Sequence, residues 1–125
     1  MTKLFGTDGI RGIAGRAPLD APTLRALATA LVETLQDQTP PWRVLIGRDT
    51  RRSGNWIERL LVSELDKLGI EVSVAGVVTT PALAFLVGWW KFSAGIMISA
   101  SHNPAHYNGI KIFSAQGTKL DDLLE

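Results

Sequence analysis

The 125-residue sequence contains no cysteine, which excludes disulfides and thiolate metal sites. Positive and negative charges are nearly balanced, with a formal net charge of +1. The net charge therefore predicts binding to neither nucleic acid nor a membrane surface. The longest apolar run, residues 82–90, is too short to cross a bilayer. The opening MTKLFGTDGIRG has no apolar signal-peptide core. We therefore expect a cytoplasmic protein without nucleic-acid or membrane partners.

The apolar pattern predicts one α/β domain over residues 1–125. Leucines spaced by three and four residues follow Asp20 and Pro22 and predict a helix that begins there. The segments 43–47, 71–75 and 94–99 resemble buried strands, and helical patterns over 53–68 and 81–90 separate them. We expect Ser53 to cap the first of these helices, Gly69 to end it, and the second helix to be buried all round.

This β-α-β-α-β order predicts a three-layer αβα fold with a mixed, mainly parallel sheet. Asp8-Gly9 predicts an N-terminal hairpin, residues 108–114 a further strand, and residues 118–125 a helix or tail. Ligands of such sheets lie at the carboxyl ends of the parallel strands. The loops 47–51, 76–81 and 99–104 should therefore meet at one edge.

Ser101 leaves the last predicted strand within the motif Ser-Ala-Ser-His-Asn-Pro, residues 99–104. A serine at this edge is either a nucleophile that carries a covalent group or an ordinary turn residue whose side chain bonds to the backbone. The local sequence does not separate these alternatives. The surroundings lack the Gly-x-Ser-x-Gly pattern of hydrolases.

Other charged residues near this edge also have two readings. Ile110 and Ile112 should face the core, so Lys111 should project from the other side of the strand. There it is either an acid or base held near a phosphate or a solvated lysine. Arg11 lies in a glycine-rich opening. It is either a forked hydrogen-bond donor for a phosphate or a surface arginine of the hairpin. Arg48 and Asp49 favour a structural ion-pair cluster.

Arg51 and Arg52 lie just before a helix start, where anions bind.

Taken in order, five motifs resemble the α-D-phosphohexomutases: Phe5–Gly12 (FGTDGIRG), Gly47–Arg51 (GRDTR), Thr80–Ala82 (TPA), Ser99–Pro104 (SASHNP) and Asn108–Lys111 (NGIK). The resemblance covers nearly the whole chain and implies the first of several domains of such an enzyme. It departs from the family pattern at Thr79 and at Tyr107.

The resemblance implies roles for individual residues. Ser101 would be the phosphoserine, and its phosphate would bind Mg2+ together with a metal loop from a domain outside this chain. Lys111 would be the general acid or base, and Arg11 would lie near the phosphoryl group. His102 and Asn103 would position the serine loop, and the Asn108-Gly109 motif would lie beside it.

The implied reaction interconverts a hexose 6-phosphate and a hexose 1-phosphate through a bisphosphate intermediate. The opening motif and residues 95–104 favour glucosamine phosphates as substrates. The alternatives are a domain specific for mannose or glucose phosphates, or a non-catalytic sugar-phosphate-binding module. The isolated domain should be a poor catalyst, and exposed interdomain surface should allow self-association.

Overall fold

The structure is a computed structural model, and it describes residues 10–100 and 103–118. The elements follow in the order β1 (Ile10–Ile13), α1 (Ala21–Leu35), β2 (Arg43–Arg48), α2 (Ser53–Lys67), β3 (Glu71–Val77), α3 (Thr80–Trp89), β4 (Ala94–Ile98) and β5 (Tyr107–Ser114). The predicted alternation of strands and helices from β2 to β4 is confirmed. The predicted helix or tail after Thr118 lies outside the described residues.

The five strands form one sheet in the order β1-β5-β4-β2-β3. β2 is parallel to β3 and β4, whereas β5 is antiparallel to both β4 and β1. Within the described residues, β1 to β4 therefore share one direction and β5 is reversed. This confirms a mixed sheet, with two parallel and two antiparallel pairings. The first half of the predicted N-terminal hairpin lies outside the described residues, and Ile10 pairs with Ile110.

Helices cover both faces of the sheet, which confirms the three layers. The leucines of α1 and the apolar residues of α2 pack with one face of β2, β4 and β5 in the larger core. Leu83 and Val87 of α3 pack with Leu45, Met97 and Phe113 on the other face. Residues that alternate along a strand therefore project toward different helices.

Local signals explain where the first two helices begin and end. Asp20 caps α1 by accepting a hydrogen bond from the Thr23 N–H at 3.3 Å, and the helix begins where the leucine spacing predicts. Gly69 follows α2 with φ of 83°, a conformation that glycine adopts without strain. The prediction that Ser53 caps α2 is wrong by one residue, because Arg52 is the cap and Ser53 is the first helical residue.

α3 departs from the prediction of a helix buried all round. Leu83 and Val87 are buried, but Phe85 and Trp89 are 62% and 67% exposed and their rings stack 5.7 Å apart. Because α3 is apolar nearly throughout, its sequence has no alternation of polar and apolar residues that marks a buried face. The sequence therefore did not indicate which side of the helix would be exposed. Among the described residues, no helix combines the length and the apolar character needed to cross a membrane.

Candidate functional site

Three loops meet at the carboxyl ends of the parallel strands, as the strand order predicts. The Asp49 N–H donates to the Ile98 carbonyl at 3.1 Å, and the Val78 N–H donates to the Arg48 carbonyl at 3.0 Å. The Ser99 N–H donates to Gly109 O at 2.9 Å. Because β5 is reversed, its first residues also lie at this edge, beside the end of β1.

A polar cluster of Asp49, Arg51 and Ser99 forms the centre of this edge. Asp49 Oδ1 accepts from the Arg51 N–H at 3.1 Å, and Asp49 Oδ2 accepts from Arg51 Nε at 3.1 Å. The same Oδ2 accepts from Ser99 Oγ at 2.8 Å. Bonds to an ionised carboxylate are about twice as strong as neutral ones, so the cluster fixes the end of β2 against the end of β4.

Arg51 extends this cluster to the segment that leads into β5. Its Nη1 donates to the Pro104 carbonyl at 2.6 Å and to the Tyr107 carbonyl at 3.2 Å. The Arg51 side chain is only 10% exposed. We expected an anion-binding role for this residue, and sequence reasoning missed its contacts with the protein. The spacing of Asp49 and Arg51, two residues apart at the end of a buried strand, is the signal that could have revealed the pair.

Arg48 and Asp49, which are adjacent where β2 ends, form separate polar contacts. Arg48 pairs with Glu58 of α2, with Nε 3.3 Å from Oε2, on the face that α1 and α2 cover. Asp49 belongs to the polar cluster described above. The two predicted members of a structural ion-pair network therefore have separate partners, and Arg48 stabilises the contact between β2 and α2.

Asn108 connects the start of β5 to the first residue of α2. It is fully buried, and its Nδ2 donates to Ser53 Oγ at 2.8 Å while its Oδ1 accepts from the Gly109 N–H at 2.9 Å. A buried amide satisfied in this way fixes the position of both elements. Asn108 thus holds the start of β5 against the helix that begins at the site.

Gly109 lies where a side chain has no room. A Cβ atom added there would be 2.7 Å from the Ser99 carbonyl oxygen and 2.8 Å from the Ile10 carbonyl oxygen. It would also lie 3.1 Å from Arg11 Cγ. The glycine therefore allows β1, β5 and the end of β4 to approach one another closely, and the Arg11 side chain lies beside it.

Arg11 and Lys111 share the face of the sheet that α3 covers in part. Ile10, Ile110 and Ile112 belong to the core on the opposite face, so alternation directs Arg11 and Lys111 away from it. Both side chains are half-buried. This orientation of Lys111 confirms the prediction from the strand pattern.

Ser101 and His102 lie outside the described residues, so the central prediction is not tested by the fold. Their neighbours are described: Ala100 is fully buried, and the Asn103 N–H donates to the Ala100 carbonyl at 3.1 Å. The two residues that flank Ser101 and His102 are thus held together by a backbone hydrogen bond.

A cleft of about 810 Å³ opens between the start of α2 and residues 103–106. Its walls are formed by Ala14, Asp49, Thr50, Arg51, Arg52, Ser53, Trp56, Asn103, Ala105 and His106. The positive end of the α2 dipole lies at this cleft and favours an anionic group. The combination of guanidinium, hydroxyl and amide groups suits a phosphorylated ligand.

The described residues do not make a complete metal site. Within residues 10–100 and 103–118, no group of three or more His, Cys, Asp or Glu side chains could hold a metal ion. Asp49 is the carboxylate that lines the cleft, and its oxygens accept hydrogen bonds from Arg51 and Ser99. The predicted Mg2+ would need ligands from other residues.

The fold is a three-layer α/β/α domain with a polar loop edge, and comparison with known proteins identifies its family. Residues 2–125 match the family described as phosphoglucomutase/phosphomannomutase, alpha/beta/alpha domain I. The chain therefore belongs to the phosphoglucomutase/phosphomannomutase family.

Two curated relatives are phosphoglucosamine mutases. The protein from Koribacter versatilis is 52% identical over 123 residues, which are 98% of this chain and 27% of the relative. The protein from Solibacter usitatus is 50% identical over 119 residues, which are 95% of this chain and 27% of the relative.

A crystal structure from Thermus thermophilus, of a protein classed as a candidate phosphomannomutase, superimposes with a TM-score of 0.84. It is 34% identical to this chain, and the match covers 96% of this chain and 28% of that one. This chain thus spans little more than a quarter of the length of the proteins it matches.

Proposed function

We propose that this chain is the phosphoserine-bearing first domain of a mutase that interconverts glucosamine 6-phosphate and glucosamine 1-phosphate. The observation that carries the proposal is the 52% identity to a phosphoglucosamine mutase along nearly the whole chain. The geometry supports it, because Arg11 lies on β1, Lys111 lies on β5, and β5 pairs with both β1 and β4, the strand that precedes the serine loop. Cationic groups next to a serine loop suit phosphoryl transfer, which depends on positioning and charge stabilisation.

The reaction would proceed in two halves. In the first half, the free hydroxyl oxygen of the hexose phosphate bonds to phosphorus, the bond from phosphorus to Ser101 Oγ breaks, and the hydroxyl proton passes to that Oγ. In the second half, Ser101 Oγ bonds to the other phosphorus, and its proton passes to the sugar oxygen that is released. Lys111 moves the proton between the two oxygens. Arg11 stabilises charge on the transferring group.

The complete enzyme would need segments beyond this chain. The matched relatives are nearly four times as long, since this chain covers 27% of their length. We propose that those segments provide sugar recognition and the remaining ligands of a Mg2+ ion bound to the phosphate on Ser101. The isolated chain would then have little mutase activity, and the enzyme would act in the cytoplasm.

Large apolar side chains that are exposed on β3 and along α3 support an interaction with other segments or with a second copy. They are Val74, Val77, Phe85, Trp89 and Trp90, each more than half exposed. The rings of Phe85 and Trp89 stack on α3, and exposed apolar side chains grouped in this way are characteristic of an interaction surface. Sedimentation of this chain at increasing concentration tests self-association, and a monomer at all concentrations would contradict it.

The test of the proposed function joins this chain to the remaining domains and assays the interconversion of glucosamine phosphates. We expect activity in the wild-type protein, loss of activity in Ser101→Ala, and wild-type activity in the control Ser63→Ala, an exposed serine of α2. Intact-mass analysis with phosphopeptide mapping should find phosphate on Ser101. Full activity of Ser101→Ala would refute the nucleophile assignment.

The similarity to a protein classed as a phosphomannomutase provides the second candidate function. The same assay should therefore compare glucosamine, mannose and glucose phosphates at equal concentration. A higher kcat/KM for mannose or glucose phosphates would favour that alternative.

A further inference from the structure

The segment from Ser99 to Tyr107, here called the serine loop, is held at both ends by the bonded pair of Asp49 and Arg51. At its start, Ser99 Oγ donates to Asp49 Oδ2, which also accepts from Arg51 Nε. At its end, Arg51 Nη1 donates to the carbonyl oxygens of Pro104 and Tyr107. Arg51 itself belongs to the connection between β2 and α2, far from the serine loop in sequence.

The geometry of these contacts requires arginine. The planar guanidinium directs Nε toward the carboxylate and Nη1 toward two carbonyl groups, and a lysine ammonium has no such fork. The Arg51 and Asp49 side chains are 10% and 26% exposed, so water competes weakly for these bonds. Arg51 therefore links the start of the serine loop to its end with charge-assisted bonds.

We propose that Arg51 is a positioning residue that holds the serine loop, and with it Ser101, in the geometry needed for phosphoryl transfer. The role in transfer rests on the proposed function of Ser101. The role in holding the loop rests on the contacts alone. Arg51 acts through the loop, by way of its contacts with Asp49, Pro104 and Tyr107.

The experiment compares Arg51→Lys and Ser99→Ala with wild type in the complete mutase. Arg59→Lys is the matched control, because Arg59 is an exposed arginine of the adjacent helix. Deuterium exchange is measured for peptides that cover residues 99–107 and, as an internal reference, for peptides that cover the buried strand β2. Steady-state kinetics give kcat and KM separately.

For Arg51→Lys we expect exchange in residues 99–107 to accelerate about tenfold, the effect of losing charge-assisted hydrogen bonds, with no change in β2. We expect kcat to fall about tenfold or more and KM to change little, because misplacing a reacting group affects the transition state. Ser99→Ala, which removes one hydroxyl and keeps the guanidinium, should give a smaller change in the same direction. Arg59→Lys should leave both readouts unchanged.

Three outcomes would decide against parts of the proposal. Unchanged exchange in residues 99–107 would overturn it, and so would faster exchange with an unchanged kcat, because the loop geometry would then not matter for turnover. If Arg51→Lys does not fold, Ser99→Ala alone provides the same comparison. If the wild-type enzyme has no mutase activity while loop exchange still depends on Arg51, the proposed function fails and the loop-holding role stands.

Discussion

Replacement of Gly109 by alanine should destabilise the domain, because the added methyl group meets backbone on two sides. The carbonyl oxygens of Ser99 and Ile10 would lie 2.7 and 2.8 Å from the new Cβ atom, well inside van der Waals contact. Ile10 belongs to the strand paired with β5, and the Ser99 N–H donates to Gly109 O. Neither neighbour can move without weakening this pairing.

Overpacking of this kind costs about 1–3 kcal/mol. In a domain of this size, we expect the melting temperature to fall roughly 3–5 °C for each kcal/mol. The matched control is Gly88→Ala, since a Cβ atom added at Gly88 has no neighbour closer than 3.9 Å and the residue lies within α3. Alanine is the better helix former by about 1 kcal/mol, so this variant should be slightly more stable than wild type.

Differential scanning calorimetry of wild type and both variants measures the two effects. Opposite signs are the expected result, with Gly109→Ala less stable and Gly88→Ala more stable. A melting temperature of Gly109→Ala equal to that of wild type would refute the argument that close strand approach requires glycine. The role of the Asn108-Gly109 motif would then have to lie in ligand binding rather than in packing.

Three further predictions concern stability, pH and turnover. Asn108→Ala removes the bond from a buried amide to α2 and should cost about 1–3 kcal/mol in urea unfolding, whereas the exposed Asn55→Ala should change stability little. Hydrogen bonding to the Thr23 side chain lowers the pKa of Asp20 below its ordinary value of 3.8. The stabilising effect of this carboxylate is therefore complete above that pH and is lost as the pH falls further. The difference in melting temperature between wild type and Asp20→Ala should shrink in acid, and a constant difference would contradict the assignment. Lys111→Met in the complete mutase should lower kcat about 100-fold without changing the phosphate content of Ser101 by intact mass, and unchanged turnover would argue against a proton-transfer role.

The layered fold could be predicted because each element carries a strong local signal. Leucine spacing with the Asp20 cap defines α1, and continuous apolar runs define β2 and β4. The order of these elements then determines which loops share an edge. These signals are local, and the sequence contains them in full.

The uncovered side of α3 and the long-range partners of Arg51 could not be predicted in the same way. An almost entirely apolar helix has no polar face to mark solvent, so the exposure of Phe85 and Trp89 depends on what packs nearby in three dimensions. The contacts of Arg51 with Pro104 and Tyr107 join residues that only the folded sheet brings together. Long-range polar contacts of this type leave no periodic trace in the sequence.

Local sequence patterns predict the orientation of residues in the candidate site but not their chemical roles. Strand alternation correctly directed Lys111 away from Ile110 and Ile112, because orientation within a strand is a local property. The role of Ser101 depends on chemistry that alternation does not describe. Its assignment comes from family membership and stays a prediction until the phosphate is measured.

The pairing of β1 with β5 also has a consequence for biosynthesis. β1 has β5 as its partner in the sheet, and Ile10 is aligned with Ile110, so almost the whole domain must leave the ribosome before Arg11 acquires its neighbours. Closing so long a loop slows folding. The β2-α2-β3-α3-β4 segment can form its parallel sheet first. The strand that carries Arg11 would then dock last, and the edge with its cationic groups would be completed only when the rest of the sheet is in place.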